Sequence, residues 1–134
     1  QLFQLLAAHR VDYHLFLRRL GELTTQGEWH ASLLALLPDR AAWQEWLETY
    51  RARLVREGSQ DAARKVRMDA INPKYVLRNA LAQQVIDAAE TGNMAPFERL
   101  FAALQRPYDE QPEYEDLATP VPQWYCGGEL SCSS

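Results

Sequence analysis

The sequence predicts an all-α fold: a compact bundle of five to six helices followed by an extended, acidic C-terminal tail rich in proline and aromatic residues. Three features predict it. Apolar residues recur at three-and-four spacing through residues 1–106. No part of that stretch shows strand-like alternation or a hairpin signal. After Arg106 the composition changes abruptly. The expected division is therefore a helical domain over 1–106 and a tail over 107–134.

Leu2, Leu5, Leu6, His9, Tyr13, Phe16, Leu17 and Leu20 fall on one helical face, with Arg10, Asp12, Arg18 and Arg19 mostly off it. This spacing gives one long helix, or two broken near Val11. Gly21 and Gly27 mark a loosened connection, and Trp29, Leu33, Leu34 and Leu37 form a short helix stopped by Pro38. Asp39 is placed to cap the next helix, where Trp43, Trp46, Leu47, Tyr50 and Leu54 keep helical spacing up to Gly58. That aromatic stripe reads as core. Ser59, followed by Gln60 and Asp61, opens a short helix to about Asp69.

A corner comes next, from Arg67 to Asn79. Proline biases the residue before it away from the α region, so Asn72 is expected to be extended and to cap a new helix, with Pro73 in the first turn of that helix. Asn72, Lys74, Arg78 and Asn79 sit among apolar Ile71, Val76 and Leu77, the pattern of a structural turn pinned by side-chain hydrogen bonds. From Tyr75 to Glu90 only Asn79, Gln83, Asp87 and Glu90 form a polar stripe, which predicts a helix buried on most sides. Thr91-Gly92-Asn93 ends it. Pro96 then suits the first turn of a last helix whose Phe97, Leu100, Phe101 and Leu104 share a face.

Charge is unevenly spread. The formal net charge of −4 over 134 residues argues against a general nucleic-acid binder. Yet residues 51–78 carry eight cationic side chains against three anionic ones, and the tail carries six acidic residues with no Lys or Arg. Pro107, Pro112, Pro120 and Pro122 alternate there with Tyr108, Tyr114, Trp124 and Tyr125, so the tail is expected to be extended. Its aromatics argue for a strap lying over the basic Arg51–Arg78 surface and held by ring burial, since surface ion pairs contribute only about 0 to 1 kcal/mol each.

A chain of 15.4 kDa fits one domain with a real core. No apolar run approaches the roughly 18 residues of a membrane span, and Gln1-Leu2-Phe3 lacks the features of a signal peptide. Beginning without Met inside a helical pattern, the sequence reads as a piece of a longer protein. Cys126 and Cys132 do not make a secreted disulfide framework, which points to a reducing, cytoplasmic setting.

Signatures of chemistry are sparse. There is no Gly-x-Gly-x-x-Gly, no Asp-Phe-Gly and no Walker pattern. His9-Arg10-Val11-Asp12 is only superficially similar to a kinase catalytic loop, because it lies within a helical apolar pattern and lacks the following Asn. His9, His14 and His30 have no metal-ligand spacing, so no metal site is expected. Cys132 is an accessible terminal thiol in an acidic setting, which raises a thiol's pKa and slows it.

Read together and in order, Met68, Asn72-Pro73-Lys74-Tyr75-Val76-Leu77-Arg78-Asn79, Leu81-Ala82-Gln83, Pro107-Tyr108-Asp109-Glu110-Gln111-Pro112 and Ser131-Cys132-Ser133-Ser134 resemble the C-terminal region of the selenoprotein O family, in a cysteine-containing bacterial form. The resemblance implies pseudokinase-fold enzymes that transfer AMP from ATP to protein hydroxyls, with ATP and Mg²⁺ (or Mn²⁺) as cofactors of the full-length protein. In that family the catalytic residues lie in an upstream kinase-like core, so no catalytic, nucleotide-binding or metal residue is expected in this chain. Implied partners are that core, on which the tail could also pack, and protein substrates.

Selenium-type members carry selenocysteine where Cys132 stands, and Glu129 occupies the place of its usual partner cysteine. Cys132 and Cys126 are therefore the redox candidates. Cys132 is expected to pair reversibly with a cysteine elsewhere in the full protein and so to gate activity. The competing class is a stand-alone helical protein-interaction module with a proline-aromatic ligand tail. A thiol oxidoreductase is disfavoured by the absence of Cys-x-x-Cys.

Overall fold

The computed structural model describes residues 1–120, and every element among them is helical. The predicted all-α class is what the chain adopts. It divides into two compact units, Gln1–Asn72 and Pro73–Ser134. The division falls inside the Asn72-Pro73 corner and not at residue 106, where the composition changes.

In the first unit, α1 (Leu2–Ala8) and α2 (Tyr13–Leu20) are separate helices. The break has two local causes. Arg10 takes a left-handed φ of 51°, and the Asp12 carboxylate accepts the Leu15 N–H at 3.0 Å as a new N-cap. A single turn, α3 (Ala31–Leu34), is capped by His30 Nδ1, which accepts from the Ser32 N–H at 3.2 Å. Asp39 caps α4 (Arg40–Arg56) as the sequence indicates, accepting from the amides of Ala41 and Ala42. Gly58, at φ 63°, supplies the left-handed turn that ends this stretch. Leu15, Phe16, Leu33, Trp43 and Leu47 form the heart of the core, with the Phe16 and Trp43 rings 5.1 Å apart and Trp46 stacked on Tyr50 at 5.3 Å.

Helix α5 (Asp61–Ile71) starts later than Ser59 because the Ser59 hydroxyl is taken by Arg64 Nη1 at 2.9 Å and does not cap the helix. Arg64 is buried. It also bonds the Leu23 carbonyl and the Asp61 carboxylate, so this cation of the basic stretch serves its own unit.

The second unit holds α6 (Asn79–Glu90), α7 (Ala95–Leu104) and a 3-10 helix, Pro112–Ala118. Two expectations change here. Residues 73–78 stay non-helical, because the Lys74 and Tyr75 amides both donate to the Pro107 carbonyl, at 2.8 and 3.2 Å, and cannot enter a helical ladder. Pro73 is thus outside the helix it was expected to open. Helix α6 is also not buried on most sides. Its apolar circumference is largely alanine (Ala80, Ala82, Ala88, Ala89), small enough to need little cover, and Ala80 is its buried residue.

Pro96 occupies the first turn of α7 as predicted. The tail's Pro112–Ala118 stretch is 3-10 and not extended. Pro112 tolerates the first helical position, and the Tyr114 N–H closes a turn onto the Gln111 carbonyl at 2.9 Å. Ala103, Ala118 and Tyr75 form this unit's core, with Leu104, Tyr114 and Leu117 against it. None of the helices among the described residues is long and apolar enough to cross a membrane.

Candidate functional site

The corner motif is split between the units. Asn72 closes the first with extended backbone (φ −107°, ψ 106°), as expected, and its N–H donates to the Met68 carbonyl at 2.8 Å. What pins it is Arg18, whose side chain is 6% exposed. Arg18 Nη1 donates to the carbonyls of Asp69 (2.9 Å) and Asn72 (3.0 Å), satisfying acceptors at the C-terminal end of α5. Its Nε lies 3.4 Å from Asp69 Oδ1, an ion pair beside those bonds. Lys65 completes the network, 2.5 Å from Asp69 Oδ2 and 3.0 Å from Glu22 Oε1. Burial opposes its charge, but the hydrogen bonds to Asp69 and Glu22 outweigh that and raise its pKa.

Pro73, Lys74, Arg78 and Asn79 belong to the second unit. Lys74 is the buried member, its side chain 11% exposed, with Nζ 2.5 Å from Glu110 Oε2 and 2.7 Å from Glu115 Oε2. Both partners come from the acidic tail. Desolvation works against the ammonium, yet the bonds to Glu110 and Glu115 prevail and move the Lys74 pKa upward. Tyr75 beside it is buried, and burial raises its phenol as well. Arg78 is the N-cap residue of α6, without a side-chain capping hydrogen bond, and Asn79 is its first residue.

Gln111, which sequence reasoning gave no role, is the centre of this clasp. Its Nε2 donates to the carbonyls of Ala103 (3.0 Å) and Arg106 (2.8 Å), tying the end of α7 to the tail. Arg99 adds a paired contact to Asp116 at 3.0 and 2.9 Å, donates to the Glu113 carbonyl, and lies 5.4 Å over the Tyr114 ring. Of the basic stretch, Lys74 is thus a cation that the tail meets, through two carboxylates. Cys126 and Cys132, with Trp124 and Tyr125, lie outside the described residues.

An ammonium stabilised by two carboxylates is neither a nucleophile nor a base near neutrality. Among the described residues no group of three His, Cys, Asp or Glu side chains is placed to hold a metal ion. His9 and Asp12 of the kinase-like tetrapeptide have local roles, the first as the C-cap of α1 and the second as the N-cap of α2.

The family model described as "Protein adenylyltransferase SelO" matches residues 1–105. Proteins named "Protein nucleotidyltransferase YdiU" from Aeromonas hydrophila and Aeromonas salmonicida are each 80% identical over 134 residues, all of this chain and 28% of theirs. One from Cupriavidus pinatubonensis is 51% identical over 99% of the chain and 26% of its own length. The chain thus spans about a quarter of the curated relatives it matches. With a family model covering most of its length, the chain belongs to the SelO family.

Proposed function

We propose that this chain is a non-catalytic helical region of a protein nucleotidyltransferase, which it serves by buttressing the kinase-like core of the same polypeptide. The reaction we assign to the whole protein is transfer of AMP from ATP to Ser, Thr or Tyr hydroxyls of other proteins, with Mg²⁺ or Mn²⁺ on the nucleotide. The observation that carries the reading is the family match over residues 1–105, in a chain whose conspicuous polar groups are spent on internal clasps.

ATP titration tests it. The full-length protein binds Mg-ATP and labels proteins with AMP, whereas the 134-residue chain does neither. Nucleotide turnover by the 134-residue chain overturns the reading. Full-length protein that fails to transfer AMP removes the enzymatic part and leaves a helical interaction module.

Cys132 is assigned a reversible disulfide with a cysteine elsewhere in the full protein, tying the tail to the core and gating activity by redox state. In a Cys132→Ser full-length protein, activity no longer responds to oxidant. An equal response in both proteins removes this role.

A further inference from the structure

Helix α7 carries more apolar surface than its own unit uses. Leu100 and Ala103 are buried, Ala103 with Tyr75 and Ala118. Phe97 and Phe101, one turn apart, are 44% and 55% exposed, and their rings stack at 5.9 Å and 15°. Met94, three positions before Phe97, is also about half exposed and prolongs the stripe. The nearby guanidinium does not cover the rings, because Arg99 is committed to Asp116 and Tyr114.

We propose that the Met94, Phe97 and Phe101 stripe is a docking face for an apolar surface of the same polypeptide outside residues 1–134. This rests on the reading of the chain as one region of a longer enzyme. Two considerations select that occupant over a separate protein or a second copy. The Aeromonas hydrophila relative matches the whole chain yet extends far beyond it, the chain spanning 28% of its length. The stripe is also small. Three half-exposed side chains offer on the order of a few hundred Å², whereas a stable interface between separate proteins buries about 1,200 Å² or more. A segment of the same polypeptide arrives at high effective concentration and binds through a patch of that size.

The test is photocrosslinking in the full-length protein, with p-benzoylphenylalanine replacing Phe101 and, in a second variant, Phe97. The expected product migrates as a monomer and joins the α7 peptide to a peptide from outside the 134 residues. Crosslinks confined to the 134 residues, a dimer-sized product, or no crosslinked peptide at either position overturns the proposal. AMP transfer is assayed on the same preparations. A crosslinked protein whose wild-type parent is inactive sinks the enzymatic reading alone, and an active enzyme without the crosslink sinks the docking face alone.

Discussion

Tyr75 and Gln111 exchange two hydrogen bonds across 36 positions: the phenol donates to the Gln111 carbonyl at 2.9 Å and accepts the Gln111 N–H at 3.2 Å. Both residues are almost fully buried, so neither backbone group has water to turn to. Tyr75→Phe leaves the buried Gln111 amide unpaired, while the carbonyl keeps the Tyr114 N–H, and is expected to cost about 1–3 kcal/mol. Faster hydrogen exchange at the Gln111 amide, with α4 unaffected, is the measurement that checks it. Unchanged exchange there would show that the pair does not hold the tail.

Arg18 makes a comparable demand on the first unit. Removing it as Arg18→Ala leaves Asp69 paired with Lys65 but strips the Asp69 and Asn72 carbonyls of their buried donor, at an expected cost of about 1–3 kcal/mol. Arg18→Lys keeps the charge and loses the planar fork, so it recovers only part of the stability. Urea denaturation followed through tryptophan fluorescence ranks the three proteins. Equal midpoints for wild type and Arg18→Ala contradict the assignment.

The Lys74 cluster is asymmetric, and its variants should be too. The side chains of Glu110 and Glu115 are 58% and 63% exposed, so in Lys74→Met they return to water and the loss stays within about 1 kcal/mol. Replacing both acids, Glu110→Gln with Glu115→Gln, strands a buried ammonium and costs more, about 1–3 kcal/mol. Tail release, read as hydrogen exchange at the backbone amides of residues 113–118, orders the two. The reverse order refutes the clasp as drawn.

Acid sensitivity arises at Asp61. Burial acts to raise its pKa, but hydrogen bonds from Arg64 and from the amide and hydroxyl of Thr25 outweigh it, leaving the carboxyl below its ordinary value of 3.8. Since the folded pKa is depressed, the unfolded chain binds the proton more readily. The contribution is fully present above the unfolded pKa and is lost as pH falls through the folded one. The urea midpoint of wild type is therefore expected to drop below about pH 4 more steeply than that of Asp61→Asn. Parallel acid limbs in the two proteins rule the linkage out.

The helices were legible because their causes are local. Asp39, the Pro96 first turn and the Trp43–Tyr50 stripe each act within about four positions along the chain, and the corner at Asn72 announced itself through Pro73. The same locality explains the misreadings. Residues 73–78 look helical until the Pro107 carbonyl takes the amides of Lys74 and Tyr75, and α6 looks deeply buried until its alanines prove too small to need it. In the sequence Arg18 reads as an off-face cation, but its acceptors lie 51 and 54 positions away. Gln111 sits in a polar run between Glu110 and Pro112, and nothing near it in sequence signals that it is 1% exposed.

Periodicity, caps and the order of short motifs thus sufficed for the helical class and the family, since those depend on neighbours along the chain. Which charges are buried, which carboxylates meet Lys74 and which rings of α7 are left over depend on the path of the backbone through space, and a residue's distant partners leave no mark on its own neighbourhood.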